Sequence, residues 1–446
     1  MHKLILSLSV WFACLTCLTA CQTHDDDDDD NVPPSGEYTP PTVASRTVLI
    51  YMAGENDLTY PYGLLNDDLR EIVRGSAQLD DNQRLFVFVD SLDKNGAAPV
   101  KPYIMEMHGG KSYMRHQYDE EFYSSDPANF QDVVQRVVEM SPSDSYGLVL
   151  WGHASGWAVW PDPEAAARIA TRAYGRDDGK DEGQEDGVRW MNIKDMVAAL
   201  EGLPKFEFIF ADCCNMMCAE VGYEMRNTTK YLIGSPAEIP GYGAPYDIIL
   251  PDFYKDDADL YYSIIDDYYD SYLRYYQNYS DLKGYSVPMS VIDTRQMEKL
   301  AEETRDVLEK YIGGYPQYPQ HPNLTADSVA FYWYFDAPVM YDMRAFIKCH
   351  TEDDDFRQWD LAFQQAVPYY RMSLRWETIY INGLKSKFRT FSKDTQRYGC
   401  VSMFIPQNTT SYFNGTYRFN ATANEYGWNR IIDWGRFGWT DDVIYK

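Results

Sequence analysis

Cysteine is scarce in this chain, basic residues are outnumbered, and long apolar runs are all but missing. Of eight cysteines in 446 residues, Cys14 and Cys17 fall in the first twenty positions. Five lie beyond residue 21: Cys213, Cys214, Cys218, Cys349 and Cys400. An odd set with three members bunched together does not make a disulfide framework, so at least one free thiol is expected. The one sustained apolar run, Leu4 to Ala20 after Lys3, is too short and too early to span a bilayer. It reads as an export signal. Basic residues number 40 against 68 acidic, a formal charge of −28. Residues 1–30 hold Lys3 and six Asp, which leaves −23 for the rest. That balance argues against nucleic acid or an anionic membrane surface as partner and suits a basic substrate. No internal repeat is evident.

The leader closes on L-T-A-C, Leu18 to Cys21, which resembles the lipobox of bacterial lipoproteins. In that reading Cys21 becomes the lipidated first residue. The alternative is an ordinary signal peptide cut near Ala20. His24 and six aspartates, Asp25 to Asp30, follow, and then a Pro-rich stretch to Pro41. Like charges repel and keep such a segment extended, so it reads as a tether. An acidic run behind a lipidated cysteine resembles the surface-export signal of Bacteroidetes lipoproteins. The resemblance implies an outer-membrane lipoprotein exposed at the cell surface, with the anchor at Cys21 as its only membrane contact. The chain then divides into a signal (1–20), a tether (21–45), an α/β body (46–250) and a helical and mixed region (251–446).

Within the body, continuous apolar runs alternate with helical patterns. Strands are expected at Thr47 to Ala53, Arg84 to Val89, 101–107, Tyr146 to Gly152, Phe206 to Ala211 and Lys230 to Ser235. Helices are expected near 63–73, 130–140 and 193–200. Another is expected directly after the Phe206 run, where Met217, Val221 and Met225 recur at helical spacing. Such alternation means a mostly parallel sheet with right-handed crossovers. Beyond residue 251, Asp252 to Tyr279, Met297 to Ile312 and Phe356 to Tyr370 carry amphipathic helical patterns, and Tyr398 to Pro406 reads as a strand.

Two strand ends carry chemistry. Tyr146 to Gly152 delivers His153 into A-S-G-W, and Phe206 to Ala211 delivers Asp212, Cys213 and Cys214. Ligands of parallel sheets bind beyond the carboxyl ends of the strands. A thiol there, facing a helix amino end, is favoured as thiolate. A cysteine and a histidine on one edge are a candidate nucleophile and base. The alternatives are a buried core thiol and a core histidine, which are commoner fates for both. A metal site of Cys213, Cys214, Cys218 and His153 does not match the usual ligand spacing.

The blocks L-V-L-W-G-H-A-S-G-W and A-D-C-C-N-M-M-C-A-E-V-G-Y-E-M resemble the two catalytic blocks of the clostripain family of cysteine peptidases. Those enzymes have the caspase-like fold of gingipains, legumains and separase. Y-M-A-G-E-N-D-L near residue 51 resembles the start of such chains, and G-C-V-S-M-F-I-P resembles a late strand. The resemblance implies a caspase-like three-layer α/β sandwich, a protein or peptide substrate, and a Cys–His dyad. Aligning E-V-G-Y-E-M with the family's E-V-x-Y-E-L makes Cys214 the nucleophile, with Cys213 turned to the sheet by strand alternation. His153 is then general base and acid. The N–H groups of Ala154, where the family has Gly, and of Cys214 are the oxyanion donors. Asp212 corresponds to the acid that receives a P1 Arg or Lys; its alternative role is a helix N-cap. Tyr242 stands where a second acid is usual, with Glu238 as a possible substitute. The resemblance also implies self-cleavage in the segment between Trp157 and Arg189, at Arg168, Arg172, Arg176 or Lys180, unless that segment is a plain surface loop. Clostripain is associated with calcium, but no loop here has the D-x-[DN]-x-[DN]-G pattern, so no cofactor is expected from a motif. A second reading is a non-catalytic surface binder of protein or glycan on the same scaffold, for which the Tyr- and Trp-rich C-terminal half supplies stacking surfaces.

Overall fold

A strand covered on both sides must be apolar at successive positions, and β1 (Ala44–Gly54) meets that condition. Val48, Ile50 and Met52 enter one buried cluster, and Leu49, Tyr51 and Ala53 enter another on the opposite face. The computed structural model describes residues 39–96, 98–158, 173–179, 187–278, 287–311, 329–335, 337–378, 387–390, 395–405 and 425–434. The leader, Cys21 and most of the tether lie outside these residues.

The core of the sheet is parallel, in the order β9 (Thr229–Gly234), β8 (Phe206–Asp212), β5 (Ser143–Trp151), β1 and β2 (Gln83–Leu92). Helices α1 (Leu64–Gly75), α5 (Tyr246–Ile249) and α6 (Asp257–Tyr276) bury their apolar stripes on one face. On the other face lie α2 (Pro127–Met140), α3 (Ile193–Ala199), α4 (Ala219–Glu224), α7 (Met297–Tyr311), α8 (Met343–His350), α9 (Asp353–Ala366) and α10 (Gly427–Ile432). This is the expected three-layer α/β sandwich. The strands and helices anticipated up to residue 235 are present, except that the helix after β8 starts late.

The sheet is wider than expected, with antiparallel wings on both sides. β3 (Pro99–His108) and β4 (Lys111–Gln117) form a hairpin beside β2. Their turn is Gly109-Gly110, both at positive φ, as a two-residue hairpin turn requires. At the far edge β10 (Met289–Asp293) and β13 (Tyr369–Arg371) cover β9. Residue 250 is therefore no domain boundary, because the later chain continues the same sheet. The strand expected at 398–406 shortens to β14 (Ser402–Phe404). It joins a small sheet with β11 (Phe331–Phe335) and β12 (Ala337–Asp342).

Among the described residues, many aromatics of the later half serve the core. Tyr261, Tyr268, Tyr272 and Tyr276 of α6 are buried, as are Trp359, Trp376, Trp428 and Trp434. Those buried rings offer a glycan no stacking surface, whereas Tyr262 and Tyr275 of α6 are exposed. Among the described residues no helix is long and apolar enough to cross a membrane.

The segment between Trp157 and Arg189 is not one open loop. Trp157 and Ala158 are buried, and β6 (Tyr174–Asp177) pairs antiparallel with β7 (Arg189–Met191). Arg176 lies in β6 and is ion-paired with Asp57, so its peptide bond is held in a strand rather than presented for cleavage. Arg168, Arg172 and Lys180 lie outside the described residues.

Candidate active site

The strand order reverses direction between β1 and β5, the place where open α/β sheets hold their ligands. Met52, Trp151 and Asp212 form one rung across β1, β5 and β8. His153 and Cys214 each stand two residues beyond that rung, on neighbouring strands. Both line a pocket of about 210 Å³ together with Leu58, Ala154, Asp212, Glu238 and Trp333. A volume of that size admits one long side chain rather than a folded ligand.

The two turns pack backbone to backbone. Gly156 has φ +60°, and a Cβ there would collide with the carbonyl oxygen of Asn215, so only glycine serves. Asn215 itself adopts φ 60°, a conformation asparagine tolerates, and its N–H donates to Ala237 O at 3.1 Å. The helix expected immediately after β8 therefore begins only at Ala219 and has six residues. Cys214 sits in the turn, not at a helix amino end, and the dipole argument for its thiolate fails. Cys213 is fully buried on the sheet side, as strand alternation required. All five cysteines in the described residues are free.

The Cys214 thiol is half-buried and accepts a hydrogen bond from the N–H of Ile239 at 3.4 Å. Burial pushes it well above its ordinary value, and the Glu238 carboxylate beside it adds to the effect; the Ile239 N–H opposes them only in part. The resting group is thus a thiol. Glu238, buried, also accepts from Asn215 Nδ2 at 3.3 Å and is an element of the pocket wall.

His153 Nε2 lies 2.7 Å from Asp57 Oδ1. Burial raises the Asp57 carboxyl, but the hydrogen bond and charge of His153, together with Arg176, outweigh it and bring it down to about 2. An ionised carboxylate only accepts, so Nε2 carries the proton and Nδ1 is left as the basic nitrogen. Asp57 is a candidate site residue that sequence reading passed over. It stood inside the quoted N-D-L, and only the fold shows that this β1 extension meets the β5 turn.

Ala154 forms an antiparallel bridge with Tyr174, in which Gly175 N–H donates to His153 O and Ser155 N–H donates to Ala173 O, each at 2.9 Å. Those neighbours serve the bridge, so the N–H of Ala154 points to the opposite side. Its φ is negative, and alanine in place of glycine brings no strain here.

Asp212 is 3% exposed at the pocket base and caps no helix. Its Oδ2 accepts from Ala244 N–H at 3.0 Å and from Tyr246 Oη at 2.8 Å. Burial raises its carboxyl to about 6 against the pull of those two bonds. A second acid, Asp68 of α1, lies beside it. Burial and the Asp212 charge raise Asp68 to about 9, and Trp151 Nε1 donates to it at 2.6 Å. A Cβ on Gly243 would sit 2.9 Å from Asp212 Oδ2 and 3.0 Å from Asp68 Oδ2. Glycine at φ +61° is thus what lets the 240–243 turn close over both carboxylates. The sequence signal for Asp68 was an acid on the apolar face of α1, between buried Leu65 and Ile72. Tyr242 does not take part: it is 57% exposed and packs against Tyr275, with ring centroids 5.9 Å apart, while its neighbours Gly241 and Gly243 line the pocket.

The profile of the clostripain family matches residues 50–437. Among solved structures, the chain is similar to a secreted C11 cysteine protease from Bacteroides thetaiotaomicron in complex with an irreversible peptide inhibitor. The identity is 27% and the TM-score 0.69, over 88% of this chain and 99% of that one. An inactive zymogen C11 protease from Parabacteroides distasonis shares the fold at 23% identity and TM-score 0.68, over 88% and 99% of the two chains. No curated protein matches the chain. With the profile running from β1 to beyond α10, the chain belongs to the clostripain family and is a C11 cysteine peptidase on a caspase-like fold.

Proposed function

We propose that this peptidase cleaves peptide bonds after Arg or Lys, with Cys214 as nucleophile, His153 as its base and Asp57 as the group that orients the imidazole. The observation that carries the reading is one pocket walled by the thiol and the imidazole and floored by the buried acid Asp212, with Asp68 packed beside Asp212 behind the lining. His153 Nδ1 takes the S–H proton as sulfur attacks the scissile carbonyl, since the thiol is neutral at rest. The N–H groups of Ala154 and Cys214 receive the oxyanion. The imidazolium then protonates the leaving amine, and water, deprotonated by the same nitrogen, releases the acyl group from sulfur.

A P1 cation would meet Asp212 ionised, while Asp68, raised to about 9, stays protonated beside it, so a single charge answers the cation. The ratio of kcat/KM for a basic-P1 substrate to that for a neutral-P1 substrate isolates this contact, because changes in the shared catalytic groups affect both substrates alike. That ratio should fall as pH drops below about 6, where the Asp212 carboxyl takes up its proton. Asp212→Asn should reduce it by about 10²–10³-fold, the loss expected for one partner of a buried charge pair. A ratio that is flat with pH and indifferent to Asp212→Asn contradicts the P1 assignment.

The leader and Cys21 support work outside the cytoplasm on a lipid anchor, and the 27%-identical relative is described as secreted. Metabolic labelling with palmitate, abolished by Cys21→Ala, is the expected result; labelling that survives the change removes the anchor from Cys21.

A further inference from the structure

One acid of the pocket has no part in the mechanism. Glu238 lines the cavity together with Cys214 and His153. Its segment grips the turn that carries the nucleophile at three successive residues. Asn215 N–H donates to Ala237 O at 3.1 Å, Asn215 Nδ2 to Glu238 Oε1 at 3.3 Å, and Ile239 N–H to the Cys214 sulfur at 3.4 Å. An antiparallel bridge to Glu377 fixes the backbone of Glu238, and the residue is only 9% exposed. Its carboxylate is therefore held beside the sulfur.

The Cys214 S–H donates to that carboxylate. A carboxylate only accepts hydrogen bonds, so it can bond the thiol and not the thiolate. Its negative charge disfavours the thiolate as well. Glu238 thus opposes the step the mechanism needs, passage of the S–H proton to His153. Among the described residues, the other titratable groups lining the pocket or joined to its wall are His153, Asp212 and, through the bridge, Glu377; Cys213 adjoins in sequence. An acid that restrains the nucleophile is a liability unless something arriving with the substrate cancels it.

We propose that Glu238 makes the nucleophile answer to the charge of the substrate: it holds Cys214 as a thiol in the free enzyme, and a cationic P1 side chain entering the same pocket offsets its carboxylate and releases the S–H proton to His153. This rests on the basic-P1 reading above. The pocket takes one long side chain, and Glu238 and Asp212 both line it, so a cation on its way to Asp212 lies in the field of both acids. A neutral P1 side chain fills the space and leaves the restraint in place. Selection for a basic residue then appears in kcat as well as in KM, because the charge acts on the chemical step.

The test is alkylation of Cys214 in the whole chain by iodoacetamide, a small neutral reagent that reports the thiolate, followed by peptide mapping. Glu238→Gln keeps an oxygen for Asn215 Nδ2 and removes the charge. At pH 7 it should react about tenfold faster than wild type, with the midpoint of its alkylation profile about one pH unit lower. n-Butylammonium, the lysine side chain in free form, should accelerate alkylation of wild type by about threefold or more and leave Glu238→Gln unchanged, while butanol should alter neither. An alkylation profile unmoved by Glu238→Gln overturns the role of Glu238. Butylammonium that competes with a basic-P1 substrate yet leaves the wild-type alkylation rate as it was overturns the coupling and spares the P1 reading. Butylammonium that does not compete removes the P1 reading, and this inference with it. Should Glu238→Gln fail to fold, the wild-type comparison of butylammonium with butanol decides alone.

Discussion

Cys214→Ala should lower kcat/KM by at least about 10⁴-fold, while Cys213→Ala should leave it within about tenfold of wild type. The contrast follows from strand alternation at the end of β8. The Cys214 sulfur lines the pocket with His153, whereas Cys213 is sealed in the core on the other side. Removing the nucleophile takes away the covalent step altogether, and what remains is binding and oxyanion stabilisation. Removing Cys213 creates a small cavity, whose cost appears in thermal stability rather than in turnover. Rates with a peptide substrate, read beside melting curves, check both halves. Equal losses in the two variants, or a loss confined to Cys213→Ala, assign the sulfur wrongly.

Asp57→Asn should be the next most damaging change, lowering kcat by about 10²–10⁴-fold with KM nearly unaltered. The carboxylate, held at about 2, accepts from His153 Nε2 and thereby keeps Nδ1 free as base. An asparagine amide is neutral and can turn its NH₂ toward the ring. That stabilises the tautomer with the proton on Nδ1, the wrong one for accepting a proton from the thiol. Arg176 keeps its bond to Asp178, so segment 173–179 has a remaining tie and the variant should fold. Partial rescue by Asp57→Glu separates orientation of the imidazole from simple packing. A kcat equal to wild type in Asp57→Asn means that His153 is oriented by something else.

How much of this was legible in the sequence depended on whether the relevant contact was local. The runs leading to His153 and Cys214 are apolar, broken only by Glu207, because β5 and β8 are covered on both faces, and that property can be read from residue order alone. So can the inward turn of Cys213. The turn at 213–218 could not be read, because Met217 and Val221 keep helical spacing although Asn215 breaks the helix in the left-handed region. Asp57, Asp68 and Trp333 reach the site from β1, α1 and β11, and nothing in their neighbourhoods says where those elements dock. Tyr242 was read, from the family resemblance, as standing where a second acid of the P1 pocket is usual. The turn closing over Gly243 rotates it outward, and the acid buried beside Asp212 is Asp68, from a helix almost 150 residues upstream of the Cys214 turn. The antiparallel wings escaped notice because β4 is half exposed and β13 is only three residues long.

The account stands on one sulfur activated by one imidazole. Its most direct test is intact-mass analysis and peptide mapping of the protein treated with an irreversible peptidyl inhibitor bearing a P1 lysine, on wild type and on His153→Ala. One adduct per chain, mapped to Cys214 and formed at least about a hundredfold more slowly in His153→Ala, is the predicted result. An adduct on another cysteine, or labelling of Cys214 at the same rate without the imidazole, contradicts it.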